Sequence, residues 1–496
     1  MDTKRGYQKH IKRRGFPTGI IGRKFVSPVG TERATNPICH GCRNIRIDRV
    51  ETAKTSRVLH RSGAIPPLAV RGEGLFLHTA DGRRIIDASG GAAVACLGHG
   101  NRRIAEAIGL QAASMAYAHT GTFSNQPAEA LAEIILHDEP GGLTRAWFCS
   151  SGSEGNEAAI KLARQYFLEI GQKQRTRTIA RRQSYHGTTL GALAAGGNMM
   201  RRAYYEPLLG QAHSLVSPCF AYRFRHDGET DAQYVDRLIA ELDAEFQRLG
   251  PDTVMAFLAE PVVGATAGCV TALQGYFPRV RALCDRYGAL LILDEVMCGM
   301  GRTGTMHAWE QEGVTPDIQV IAKGLGGGYQ PIGGILVADR IVRALEDGSG
   351  GFLHGQTYQA HPVACAAALE VQRIIREDGL VANVQAMGQL LEIALQERFG
   401  NHRHVGDIRG RGLFWAVEFV VDRGSRQVFD PALKLHERVK AACLDRGLAI
   451  YPMGGTIDGV RGDHVVLAPP YIAKADDIDS IVARLGDAVD AVLDGV

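Results

Sequence analysis

The sequence predicts an α/β fold organised on a parallel β-sheet, and three observations predict it. Residues 289–293, Ala-Leu-Leu-Ile-Leu, form an unbroken apolar run that ends in two carboxylates, Asp294 and Glu295. Ile318, Val320 and Ile321 form a second short apolar run, which delivers Lys323 into the glycine cluster Gly324, Gly326, Gly327 and Gly328. Apolar runs of this length without polar alternation read as strands buried on both faces. The stretch between them is long enough for a crossover, so the two strands lie parallel and bring Asp294 and Lys323 to one edge of one sheet. The third observation is the short strand at residues 146–149, which opens into a Ser/Gly turn and then a helix.

That sheet edge is where open α/β sheets keep their ligand crevice. A lysine at a strand end is ordinarily just a solvated side chain. One held in the protein interior is pushed toward its neutral, nucleophilic form, which chemistry on a carbonyl requires. Lysine and aspartate at one edge are the pair that pyridoxal phosphate needs, the first to hold an aldehyde and the second to keep a pyridine nitrogen protonated. The turn Ser150-Ser151-Gly152-Ser153 exposes backbone N–H groups at a helix start, a site for the phosphate. Taken alone it is no more than a capped helix.

Length and composition bound the answer. The 496 residues are 45% hydrophobic and 22% charged, an ordinary globular composition with enough chain for a large core in two lobes. No apolar stretch is long enough to span a membrane. Ten cysteines without a framework spacing suit a reducing compartment, and we expect a cytoplasmic protein with no metal site. The one close pair, Cys39 and Cys42, has no second pair of ligands nearby. The net charge of +3 is uneven: residues 1–57 hold 14 Lys and Arg against 4 Asp and Glu, and the remainder 42 against 49. This basic extension lacks the apolar core of a secretory signal, shows no clear amphipathic period, and carries no nucleic-acid module, so it reads as a disordered tail.

Along the chain, residues 66–101 hold two strand-like runs joined by an Asp81-Gly82 turn. Helical patterns follow at 104–118 and 126–137. The strand at 146–149 leads through the Ser/Gly turn to a helix at 158–164. Residues 178–184 are poor in apolar side chains and precede Tyr185-His186-Gly187, where a flat ring at a loop tip suits the face of a pyridine, although such aromatics are usually just half-buried. Another strand at 254–258 ends in Glu260. A long helix is expected at 362–376, and from about 386 helical patterns surround a strand pair. There are no internal repeats.

The ordered motifs SSGSEGNEAAIKLAR, YHG, AEPVVG, ILDEVMCGMGRTG, IAKGLGGGYQPIGG, HGQTYQAHPVACAAALE and IRGRGLFWAVEFV resemble the class III pyridoxal-phosphate aminotransferases of fold type I, within them the ω-amino acid/amine:pyruvate transaminases. The resemblance runs from about residue 58 to the end. It implies a large domain (116–385) with a mostly parallel seven-stranded sheet flanked by helices. It also implies a smaller α+β domain from both chain ends (58–115 and 386–496), preceded by the extension 1–57. It makes Lys323 the Schiff-base lysine and Asp294 the partner of the pyridine nitrogen. Val296 and Tyr185 cover the two ring faces, Gly152 and Ser153 bind the phosphate, and Ser151, His186 and Glu260 complete the cofactor contacts. Thr357 acts from a neighbouring subunit, implying a homodimer or tetramer. Arg409 grips a substrate carboxylate.

Two departures from the ornithine, acetylornithine and 4-aminobutyrate branch stand out: Met297 and Ala265 occupy positions where that branch carries a glutamine and a glutamate. Their loss favours pyruvate over 2-oxoglutarate as acceptor. Where amine:pyruvate enzymes place a tryptophan and a pair of aromatics, this chain has Ala92, His119 and Thr120, which implies a widened site unless Tyr117 or Phe123 refills it. The expected partners are thus a small amine donor and a keto acid, with no nucleic acid and no membrane. Another pyridoxal-phosphate reaction on the same scaffold (aminomutase, decarboxylating transaminase or epimerase) remains the alternative. A cofactor-binding regulator using the basic extension is a further one.

Overall fold

Seven strands form the central sheet of the computed structural model: β1 (Leu143–Cys149), β2 (Arg177–Arg181), β3 (His213–Val216), β4 (Val254–Ala259), β5 (Leu290–Asp294), β6 (Ile318–Ile321) and β7 (Gly333–Ala338). Their spatial order is β1-β7-β6-β5-β4-β2-β3. Only β7 runs antiparallel to its neighbours. The fold is therefore the mostly parallel seven-stranded sheet that the resemblance implies, and β5 and β6 are the parallel pair that the apolar runs predict. Side chains alternate between two cores: Leu291 and Leu293 pack on one face of the sheet, and Leu290 and Ile292 on the other. That burial on both faces is why β5 needed no polar alternation.

The structure describes residues 56–495 apart from 62 and 64, and the chain divides into two units, 1–66 and 67–496. In the first unit the described residues hold neither helix nor strand. Most of the basic extension, with Cys39 and Cys42, lies outside the described residues. Among those that are described, no cluster of His, Cys, Asp and Glu is arranged for a metal ion, and no helix is long and apolar enough to cross a membrane.

Within 67–496, a third core draws on both ends of the chain, from Leu75, Ile86 and Leu97 to Leu485 and Val489. Two four-stranded sheets frame it. One joins Ala69–Glu73, Phe76–Thr79 and Arg84–Asp87 to the distant strand Leu448–Ala449, with Ile86 in register with Leu448. The other is antiparallel, in the order Val405–Arg411, Phe414–Phe419, Asp463–Leu467, Tyr451–Gly454.

Several local expectations need correction. The helix after the Ser/Gly turn starts at Gly152, not near Ala158, and runs to Glu169, because Ser151 caps it by accepting a hydrogen bond from Glu154 N at 3.3 Å. The apolar-poor segment 178–184 contains β2, an interior strand. Its Arg181 is fully buried by donating to the Glu260 carbonyl and lying near the Tyr276 and Phe277 rings. The helix expected to reach 118 stops at Ser114, where Met115 is already extended. Beyond residue 386 the structure has five strands, two of them only revealed by long-range pairing.

Candidate active site

Because the strands of the sheet run mostly one way, their carboxyl ends converge, and five of them deliver side chains to one cleft. β1 leads to Gly152 and Ser153, β2 to Tyr185 and His186, β4 to Glu260, β5 to Asp294, and β6 to Lys323. These residues line a cavity of about 130 Å³ together with Asn156, Gly187, Val262, Gly264, Ala265, Val296 and Met297. Register explains the meeting of Asp294 and Lys323: Asp294 pairs with Val320 across parallel strands, and Lys323 lies just beyond.

Lys323 is half-buried and lines the cleft. Its backbone takes a left-handed φ of +45°, a conformation that costs a side-chain-bearing residue of order 1–3 kcal/mol and has to be held by its surroundings. Among the described residues its amino group has no hydrogen bond and no ion pair. Burial drives the ammonium down to about 8, against the opposing pull of Asp294 and Glu260. The result is an amine that becomes neutral above about pH 8, well below the ordinary lysine range.

Asp294 is the most heavily braced group in the cleft. His186 Nδ1 donates to its Oδ2 at 2.8 Å, Asn156 Nδ2 to the same oxygen at 2.9 Å, and Val296 N to Oδ1 at 3.0 Å. His186 Nε2 and Asn156 Oδ1 are buried with no partner in the protein, although groups so placed are usually satisfied. Glu260 ties two loops, accepting from Tyr185 N and Gly264 N, both at 2.8 Å, and burial pushes its carboxyl upward.

The 18-residue helix Gly152–Glu169 points its start into the cleft. Its first-turn N–H groups have no intrahelical acceptor and its dipole favours an anion there. The approach is tight: a Cβ on Gly152 would stand 2.8 Å from Val296 Cγ2, and one on Gly187 (φ +142°) would stand 2.6 Å from Ser153 Oγ. Unpaired polar atoms around a carboxylate, a bare lysine and an open helix start together suit an aromatic heterocycle bearing an aldehyde and a phosphate.

Other expected site residues lie elsewhere. Ser151 caps the helix rather than lining the cleft. Thr357 is exposed, and its carbonyl accepts from Tyr117 Oη at 2.8 Å. Thr120 borders a separate depression with Phe123, Trp147 and Gln359, and neither Ala92 nor His119 lines the Lys323 cleft. Arg409 is spent on its own chain: Nε donates to Gly268 O at 2.6 Å, Nη1 to Glu418 at 2.6 Å and Asp407 at 2.8 Å, and Nη2 to Ala267 O. Asn156 was missed. The available signal was its place four residues after Gly152, one turn along the same helix face.

A family model for class-III aminotransferases matches residues 58–489. An uncharacterized aminotransferase of Schizosaccharomyces pombe is 51% identical over 86% of this chain and 92% of its own length. A diaminobutyrate–2-oxoglutarate transaminase of Halomonas elongata is 36% identical (86% and 90% covered), and a hypotaurine/taurine–pyruvate aminotransferase of Paracoccus denitrificans 35% (86% and 91%). Among solved structures, an (S)-enantioselective ω-transaminase from Thermomicrobium roseum superposes with a TM-score of 0.81 at 38% identity, covering 86% of this chain and 93% of its own. The Pseudomonas jessenii ω-transaminase in complex with PMP gives 0.82 at 33% identity, covering 87% and 94%.

Proposed function

This chain belongs to the class III aminotransferases, and from that premise we propose that it moves an amino group from an ω-amino acid or amine donor to a keto acid, with pyruvate the favoured acceptor, in two half-reactions at the Lys323 cleft. The observation that carries the reading is a desolvated lysine with no hydrogen bond or ion pair among the described residues, in one cleft with a carboxylate held by three donors.

Class III aminotransferases use pyridoxal phosphate, which supplies when bound a reactive aldehyde carbon and a ring that takes up electrons. Lys323 is the residue that would hold that carbon, and its amine, pushed down to about 8 by burial, would serve as the base that takes up the substrate's proton. Asp294 offers its carboxylate to the ring nitrogen, with His186 and Asn156 fixing its orientation. Gly152 and Ser153 present N–H groups to the phosphate. Tyr185 and Val296 flank the ring, and Glu260 holds the loops that carry Tyr185 and Gly264. Thr357 belongs to the cleft of a second copy in a homodimer, which agrees with its exposure outside its own chain's cleft. Arg409 binds a substrate carboxylate in this reading only by exchanging Glu418 for it.

Ala265 and Met297 both line the cleft, so the two positions that favour pyruvate border the substrate. The relatives named for 2-oxoglutarate and for pyruvate are equally distant, and the acceptor rests on those two residues. Ala92 and His119 do not line the Lys323 cleft and Thr120 borders a separate depression, so nothing in the cleft of this chain supports donors larger than β-alanine. The third core, which draws mainly on the chain ends and is distinct from the two on the faces of the central sheet, supports a division near 115 and 385, although it also takes in residues from Ala367 to Val384. A cytoplasmic location fits the eight described cysteines, which are all free and buried. The test is a panel of amines with pyruvate or 2-oxoglutarate, followed by the cofactor's absorbance. We expect amine-dependent bleaching that pyruvate reverses faster than 2-oxoglutarate. Bleaching by no amine would overturn the reading.

A further inference from the structure

Arg201 and Arg202 are neighbours on the short helix Met199–Arg202 with opposite fates. Arg202 is consumed locally: Nη1 donates to Ala194 O and Gly196 O at 2.7 Å and to Leu193 O at 3.3 Å, and the guanidinium pairs with Glu206 at 3.1 Å. Arg201 pairs with no carboxylate among the described residues, and its Nε is buried without a hydrogen-bond partner. Its guanidinium lies over the ring of Tyr185, 4.6 Å from the centroid, and Tyr185 lines the Lys323 cleft. Arg201 does not itself line the cleft and stands behind Tyr185, close enough that its positive charge adds to the lowering of Lys323. The backbone beneath it is fixed, since the side chain of buried Asn198 accepts from Arg201 N at 3.2 Å.

We propose that Arg201 is a specificity-determining residue that binds the carboxylate of an acidic substrate on the Tyr185 side of the cleft. A guanidinium presents a planar fork of donors matched to a carboxylate, and one parked on an aromatic face keeps its outer donors open. An arginine already tied to Glu418, Asp407 and two carbonyls, as Arg409 is, must break those bonds before it binds anything. Arg201 breaks none. The assignment rests on the transaminase reading for the identity of the substrate, but not for the binding of a carboxylate.

The test uses the holoenzyme and Arg201→Gln, with Arg201→Lys to retain charge without the fork. Titration calorimetry with succinate, which has neither amine nor ketone, reads binding apart from turnover. We expect Arg201→Gln to weaken succinate at least tenfold and to raise KM for an ω-amino acid and for pyruvate by a similar factor. The half-reaction with 1-aminobutane, which has no acid group, followed as bleaching of the cofactor with no keto acid present, should change less than twofold, and Arg201→Lys should recover part of the loss for the acids. Unchanged succinate binding in Arg201→Gln overturns the proposal, as does an equal loss for 1-aminobutane, which would place Arg201 on the cofactor or on Tyr185. If the wild type turns over no amine, the transaminase reading fails, while the succinate titration still decides the role of Arg201.

Discussion

Lys323 and Arg409 are two cations set deep in the protein, and they differ in what surrounds them. Arg409, whose side chain is only 9% exposed, has every nitrogen engaged, and the buried Glu418 that it grips also holds Arg223. Among the described residues, none is hydrogen-bonded to the Lys323 amine. A buried charge with a complete set of partners is part of how a fold is held; a buried charge without one lowers stability and persists for another reason. The same difference separates the Arg409 guanidinium, with every nitrogen engaged, from the carboxyl edge of the central sheet, where His186 and Asn156 keep buried polar atoms with no partner among the described residues.

This comparison breaks most sharply at Lys323. Lys323→Ala should cut turnover by at least about 10³-fold while leaving the melting temperature of the cofactor-free protein unchanged or higher; an active variant would remove the lysine from the chemistry. Asp294→Asn, which keeps the shape but not the charge, should lower turnover by about 10²–10³-fold with cofactor still bound. Near-normal rates would release Asp294 from its role.

At Arg409 the expected loss is in stability. Arg409→Met leaves Glu418 with Arg223 alone and should cost about 3 kcal/mol, read by denaturant unfolding. Adding Glu418→Gln should restore part of it. A neutral Arg409→Met would mean that the cluster is not a structural clamp.

The smallest effect is a pH dependence. Lys323 titrates at about 8 in the folded protein against 10.5 when free. Between these values the unfolded chain binds the extra proton, so Lys323 makes stability rise with pH from about 8 to 10.5. Below about 8 both states are charged and the burial cost is fully felt. Melting of the cofactor-free protein at pH 8 and pH 10 should therefore show a relative gain for the wild type that Lys323→Met lacks. Parallel curves would mean that Lys323 is not desolvated in solution.

The parts of this structure legible in the sequence were those coded by neighbours in the chain. β5 and β6 announce themselves by apolar runs, and Asp294 and Lys323 by their places at the ends of those runs. β2 did not, because its Thr178 and Arg181 are buried by partners from other segments, such as the Glu260 carbonyl. Asn156 was hidden for a related reason: an asparagine inside a helix has no local signature until the carboxylate it braces is brought in from residue 294. Arg409 shows the limit from the other side. Its motif marks it out, but Glu418, nine residues on, and Gly268, far upstream, determine what its guanidinium touches.

The pairing of Leu448 with Ile86 also sets an order of events during synthesis. The strands between Ala69 and Asp87 leave the ribosome early, yet their sheet is completed by a strand made roughly 360 residues later. At translation rates of about 5–20 residues per second, that edge waits about 20–70 s with its hydrogen-bonding groups uncovered. The central sheet, whose seven strands all fall between residues 143 and 338, can close during that interval. The nascent chain therefore carries a finished cofactor platform beside an unfinished flank, and it is the flank that needs shelter from other chains.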